Sequence, residues 1–318
     1  MSVKFQNLRK KINTIRPIGY QYPIGLSLQL GGDNAAISTT GGTQTIDGDN
    51  AVHTFSSTDI FVPSFTGNVE VLVVAGGGGA GEPGTAPGGG GAGGLRYNSS
   101  FPVTLSESYS ANVGAGGGGM SPGTDSDFNG PAFVSTGGGR GGLAPSPAPN
   151  NAGAPGGSGG GAGSVSASSG TVGSGTPGQG NDGGSGASDS NLYRTGGGGG
   201  GAGGAGSSAN TTGGGPGGIG LEYSISGTPT YYAGGGAGGN LGSGGVGLVA
   251  AVGGLGGGGN CTPPADSPST RAGTTNRGGG GGSFTYVAPQ GNFAGSGGSG
   301  VIIVRYQSSQ ETLGYRIE

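Results

Sequence analysis

Patterned hydrophobic positions are largely confined to the first third of this chain and a short stretch near its end. Ile24, Leu26, Leu28 and Leu30 occupy every second position, the period of a short half-buried strand. Residues 43–56 read as a hairpin: TQTI, then Asp47-Gly48-Asp49-Asn50, then AVHTF. Asp-Gly between β-prone runs is a strong turn signal. Residues 58–62 predict another strand, ended by Pro63, which cannot donate to a ladder. Residues 69–75 (VEVLVVA) are almost continuously apolar and predict a buried strand. Their counterpart is the run at 301–306 (VIIVRY). The two are expected to be neighbours in one sheet. Residues 101–105 and 108–113 are weaker strand candidates.

Between the two apolar runs the pattern gives way to glycine. Runs occupy residues 76–79, 88–91, 116–119, 137–139, 159–161, 196–201, 213–215, 234–236, 256–259 and 278–282. Starts at Gly116, Gly137 and Gly159, and at Gly213, Gly234, Gly256 and Gly278, recur every 21 or 22 residues. A flexible linker has no reason to keep that beat, whereas a stacked repeat does. Strict every-third-residue phase is missing, which excludes collagen. The alternative is a bundle of polyglycine helices, extended at about 3.1 Å per residue. Such helices can hydrogen-bond to one another on all sides, because no side chain holds them apart, and Cα–H···O contacts add to this.

The expected fold is therefore mostly irregular and β. A small antiparallel β-sheet brackets a bundle of polyglycine II helices with loops at its ends. The expected divisions are an N-terminal docking arm (1–30), a hairpin and strands (31–75), the glycine-rich bundle (76–300) and a closing strand with a tail (301–318).

Composition narrows the function. Of 318 residues, 90 are glycine, 8% are charged and the net charge is −3. Self-repulsion does not hold such a chain open. Lys4, Arg9, Lys10, Lys11 and Arg16 cluster with no acid among them, and no lysine follows. That arm is the candidate for docking to an acidic surface on a larger assembly. The slightly acidic body has no basic stripe, so nucleic acid is not an expected partner. Residues 71–75 and 248–252 are too short to span a bilayer. The first residues have no apolar stretch of the kind that directs secretion, so assembly in the cytoplasm is expected.

Catalytic patterns carry little weight here. Among so many glycines, Gly-x-Gly-x-x-Gly matches are inevitable, and no glycine run is followed by lysine. Gly156-Gly157-Ser158-Gly159-Gly160 fits a nucleophile elbow by chance, and the single histidine, His53, lies in the hairpin. One histidine and one cysteine, Cys261, make neither a zinc site nor a disulfide. Asp125, Asp127, Asp47 and Asp49 suit turns better than a cation. Asp182 and Asp189 around a glycine stretch resemble a calcium-binding repeat that is not repeated. Neither an enzyme, a cofactor nor a metal is expected. What remains is surface. Tyr193, Arg194, Tyr231, Tyr232, Arg271, Phe284 and Tyr286 lie between runs among small polar residues, a make-up typical of binding loops. They are the candidate contact residues; capping of the bundle ends is the other reading of the same rings.

Several motifs stand in a fixed order: His53-Thr54-Phe55, then Phe61-Val62-Pro63, VEVLVVAGGGGAG, GGGGAGGLRY (88–97), ANVGAGGGG (111–119), and NRGGGGG leading to GSGGSGVIIVRY (276–306). This order resembles the glycine-rich domain proteins of bacteriophage virions, many of them tail-fibre or tail-tip proteins. A looser likeness is to the polyglycine-helix distal adhesins of T-even-like phages. The resemblance, which covers about residues 50–306, implies a virion protein. The expected setting is assembly in the host cytoplasm, with the arm, outside the resemblance, joining it to other virion proteins and the loops contacting a host cell-surface glycan or protein. It supplies no catalytic residues. The alternative is a capsid decoration or head-fibre protein with a mainly structural role. A fibre would admit a homotrimer, though no heptad specifies one.

Overall fold

The computed structural model describes residues 38–81, 86–143, 151–165, 168–189, 193–242, 249–262, 268–286 and 294–310. The expected docking arm, with the strand expected over 24–30 and the basic residues Lys4, Arg9, Lys10, Lys11 and Arg16, lies outside the described residues. The strands of the first half are β1 (Thr43–Asp47), β2 (Asn50–Phe55), β3 (Asp59–Phe61), β4 (Gly67–Val74), β5 (Leu95–Val103), β6 (Tyr109–Asn112), β7 (Ser126–Phe128) and β8 (Val134–Ser135). Short strands follow: β9 (Ser164–Val165), β10 (Ser168–Ser169), β11 (Ala187–Asp189), β12 (Tyr193–Thr195), β13 (Leu221–Tyr223), β14 (Thr230–Tyr232), β15 (Asn240–Gly242) and β16 (Thr285–Tyr286). The last strand is β17 (Val301–Gln307). One short helical turn, Pro268–Arg271, is the only α-helix among the described residues.

The two apolar runs are neighbours. The main sheet has the order β1-β2-β17-β4-β5, with Val304 opposite Val71 and Ile302 opposite Val73 in an antiparallel ladder. The Asp-Gly hairpin forms as its sequence predicts, with Gly48 at φ 58° in the turn. A second sheet, β3-β6-β7-β8, covers one face. Val69, Val71, Val73, Ile302 and Val304 pack there against Phe61, Tyr109 and Phe128. Leu72, Val74, Val301 and Ile303 point to the other face and pack against Ile225 and Tyr232 of the β13–β14 hairpin. Burial on both faces is why β4 and β17 read as continuous rather than alternating runs. The strand expected at 101–105 is longer, starting at Leu95, because it grows directly out of a glycine run.

Beyond Val74 the chain stops pairing by twos and starts pairing by threes. Ala75, Gly78 and Gly81 donate to the carbonyls of Gly94, Gly91 and Gly88. Gly76 and Gly79 donate to Thr124 and Ser121, and Gly77 and Ala80 to Gly298 and Gly295. The return segment, 86–94, repeats the rule. Gly88, Gly91 and Gly94 donate to Gly142, Gly139 and Thr136; Gly89 and Ala92 to Gly197 and Gly200; Gly90 and Gly93 to Gly281 and Gly278. It accepts from 75–81, from Ser158, Gly161 and Ser164, and from Gly236 and Gly239. Six neighbouring segments thus surround 86–94, with its own donated bonds at 2.7 to 3.0 Å.

Only glycine fits that spacing. A Cβ on Gly90 would lie 2.1 Å from the Gly78 carbonyl oxygen, and one on Gly199 1.9 Å from that of Gly90. Where a methyl has room the sequence uses alanine, as at Ala80, Ala92, Ala162 and Ala237, all fully buried. Two serines secure the junction between sheet and bundle. Ser126 Oγ donates to the Val74 carbonyl at 2.9 Å and accepts from the Gly114 amide at 2.8 Å. Ser135 Oγ donates to the Val73 carbonyl at 2.9 Å.

Direction explains the sequence beat. Runs starting at Gly116, Gly137, Gly159, Gly234, Gly256 and Gly278 all lead away from the main sheet, as their pairings with the outgoing segment 75–81, with the returning segment 86–94 and with one another require. Each period is therefore one trip out and back. The run at Gly213 keeps the numerical spacing but travels the other way, since Gly215 and Gly218 pair in parallel with the returning residues Gly196 and Gly199. The β13–β14 hairpin fills that interval.

Candidate binding end of the bundle

The outward and return runs give the bundle two unlike ends. At the sheet end, run turns straight into strand at Val74–Ala75, Gly94–Leu95 and Gly300–Val301. At the other end lie a sheet of order β11-β12-β15-β16 and the β9–β10 pair. The described residues that flank each internal undescribed stretch all lie at this second end: 81 and 86, 143 and 151, 165 and 168, 189 and 193, 242 and 249, 262 and 268, 286 and 294. The first and last described segments are at the opposite pole. Thr40 bridges Val62 there, and the Ser308 amide donates to the Asp49 carbonyl.

The structure divides the candidate contact residues. Tyr193 and Arg194 stand half-buried in β12, opposite Gly242 and Leu241 of β15. Tyr286 sits in β16, paired in parallel with Leu241. These three share the far sheet. Phe284 is at the same end but buried, and its carbonyl accepts from the Asn240 amide. Arg271 is buried too, and its carbonyl accepts from the Gly282 amide at 2.7 Å. Tyr231 and Tyr232 are at the other end, in β14, where Tyr232 belongs to the core under the main sheet. The seven residues therefore do not form one surface. Tyr232, Arg271 and Phe284 are closed off from solvent, whereas Tyr193 and Arg194 are half-buried.

Ionisable groups cluster at the sheet end. Asp47 Oδ2 pairs with Arg305 Nη2 at 2.9 Å, and Arg305 Nη1 donates to the Ser224 carbonyl. Burial, helped by the Glu70 carboxylate that its hydroxyl bonds, pushes the Tyr97 phenol up to about 12. Tyr223, with its ring 5.0 Å from that of Tyr97, is raised by burial. Backbone amides of Gly42 and Ile60 hold Asp59 below the usual carboxylate range. Three further aspartates accept hydrogen bonds from nearby groups. Asp125 accepts from the Gly137 amide, Asp182 from the Gly175 amide, and Asp127 from Asn112 Nδ2 and the Gly130 amide. His53 is buried between the Gly41 carbonyl and the Tyr306 hydroxyl, whereas Ser158 lies inside the bundle. Among the described residues no three His, Cys, Asp or Glu side chains come together as a metal site, and no helix is long and apolar enough to cross a membrane.

The profile of the glycine-rich domain matches residues 49–307. The chain belongs to the glycine-rich domain family. The match ends on Gln307, whose partner in the ladder is Asn50, one residue inside its start. The glycine-rich domain is thus closed by β2 and β17 side by side, with the whole bundle between them in sequence. No curated protein matches the chain. Sequence reading missed Ser126 and Ser135 within the domain. It also took 248–252 only as an apolar stretch, although Val249, Val252 and Leu255 recur at the three-residue spacing of the runs.

Proposed function

We propose that this glycine-rich domain is a rigid spacer in a phage virion protein that presents its far end to a host cell surface. The runs are read as polyglycine II helices. The three-residue alternation of hydrogen-bond partners along 75–81 and 86–94 supports that reading, since that helix has three residues per turn. The observation that carries the function is polarity. The described residues that flank the internal undescribed stretches lie at one pole, and the first and last described segments lie at the other. A protein held at one pole offers the other to a partner. The order of glycine motifs, which resembles virion proteins, supplies the setting. The arm bearing Lys4, Arg9, Lys10, Lys11 and Arg16 docks to other virion proteins, and a cell-surface glycan or protein is the partner at the tip.

The contact set is then Tyr193, Arg194 and Tyr286 on the far sheet rather than Tyr231 and Tyr232. Replacing Tyr193 and Arg194 by alanine is expected to lower adsorption of particles to host cells at least tenfold with an unchanged melting temperature. Tyr231→Ala, at the sheet pole, leaves adsorption unchanged. Equal adsorption by all three proteins removes the tip reading. Gold-labelled antibody on intact particles separates a tail location from a capsid decoration.

A further inference from the structure

One flank of the bundle is built unlike the rest. Along 249–255, Val249, Val252 and Leu255 recur every third residue and are 68%, 61% and 61% exposed. On the adjoining run, Ile219 and Leu221 are 43% and 38% exposed, and Pro216, three residues before Ile219, is exposed as well. The two runs are fixed side by side, because the Gly217 and Gly220 amides donate to the Val252 and Leu255 carbonyls at 3.0 and 2.7 Å. Ala251 faces inward, against Ala237 and Cys261. The result is an exposed apolar strip on two adjoining runs. Its residues 216, 219, 221, 249, 252 and 255 carry no charge, and the exposed Glu222 borders it beside Leu221.

The chemistry limits what covers this face. A further glycine run would have to approach past the branched side chains of Val252, Leu255 and Ile219, which are larger than the methyls that the bundle admits at Ala80, Ala92, Ala162 and Ala237. Within the described residues the amides of Ile219, Val252 and Leu255 carry no hydrogen bond, so no described strand or run completes the edge. A charged or sugar-like partner gains little from branched aliphatic side chains. An equally aliphatic face gains most. Large exposed apolar patches on soluble proteins mark interaction sites, and a net charge of −3 offers little repulsion between copies.

We infer that the face formed by Ile219, Leu221, Val249, Val252 and Leu255 binds the same face of a second copy of this chain about a two-fold axis. A two-fold axis sets the same patch of both copies together, so each apolar side chain meets an apolar surface. The exposures amount to a buried area on the order of 900 Å² over both copies, below the roughly 1,200 Å² of stable complexes. The pairing is weak and reversible, as interfaces of that size are. It is independent of the reading of the far pole, because the face lies along the flank.

Sedimentation equilibrium of the full chain from about 10 to about 500 µM tests this. A monomer–dimer equilibrium is expected, weakened at least tenfold by Val252→Ser with Leu255→Ser at an unchanged melting temperature. Val249→Ser, at the end of the same row, repeats the test with a single change and is expected to weaken the dimer about threefold. A chain that stays monomeric throughout overturns the inference. So does association that survives all three changes, which assigns it to another surface, or that is lost only when the arm's lysines and arginines are replaced.

Discussion

At the scale of the residue, glycine acts here through what it lacks. Gly235 sits between runs, where an added Cβ would lie 2.1 Å from the Gly199 carbonyl oxygen. Gly118 is glycine as well, yet nothing lies within 4 Å of its Cβ position. Helix and strand propensities are the same for both, so the pair isolates packing. Gly235→Ala is expected to cost about 3 kcal/mol or more, the upper range for overpacking where the neighbour is backbone and cannot turn aside. Gly118→Ala changes stability by less than about 0.5 kcal/mol, as exposed substitutions do. Thermal melts of the two variants decide it. Equal melting temperatures would mean that the runs do not touch.

Among the elements, the boundary between sheet and bundle is the most demanding, because β4 changes its pairing rule at Ala75. Ser126 Oγ bridges the last carbonyl of the strand to the Gly114 amide. Ser126→Ala leaves both groups buried with one partner fewer, at a cost of about 1–3 kcal/mol. Ser126→Thr, which keeps the hydroxyl, recovers part of the loss if the added methyl is accommodated. Denaturant titration of the two variants measures this. The strands themselves were legible beforehand. The matched apolar runs gave β4 beside β17, and Asp-Gly gave the β1–β2 turn. The serines were not, because a serine among glycines looks the same in a turn, a loop or a buried joint. Nor could the tyrosines be sorted between poles. Tyr193 and Tyr232 both precede glycine runs; what separates them is the direction of travel, and the β13–β14 hairpin reverses it before Tyr232 is reached.

For the whole molecule, the glycine runs carry no marks that say which run lies beside which. A glycine-rich segment specifies register weakly, since no side chain distinguishes one alignment from the next. The 21- to 22-residue period reported the out-and-back trip but not the six neighbours of 86–94. Order is therefore imposed from the ends, by the sheet at one pole and by turns such as Gln179, whose carbonyl accepts from the Leu95 amide and whose side chain accepts from that of Thr136. This has a consequence for dynamics. Each central amide is shared between two runs, so none can open without its neighbours, and the bundle should behave as one cooperative unit. Hydrogen exchange is expected to find Gly89, Gly90, Gly91 and Ala92 protected to the level of global unfolding. Ile219, Val252 and Leu255, whose amides have no partner among the described residues, exchange fast although they sit on neighbouring runs. A gradient instead, with protection falling steadily from the sheet towards the far pole, would mean that the runs fray one by one and that the spacer is not rigid.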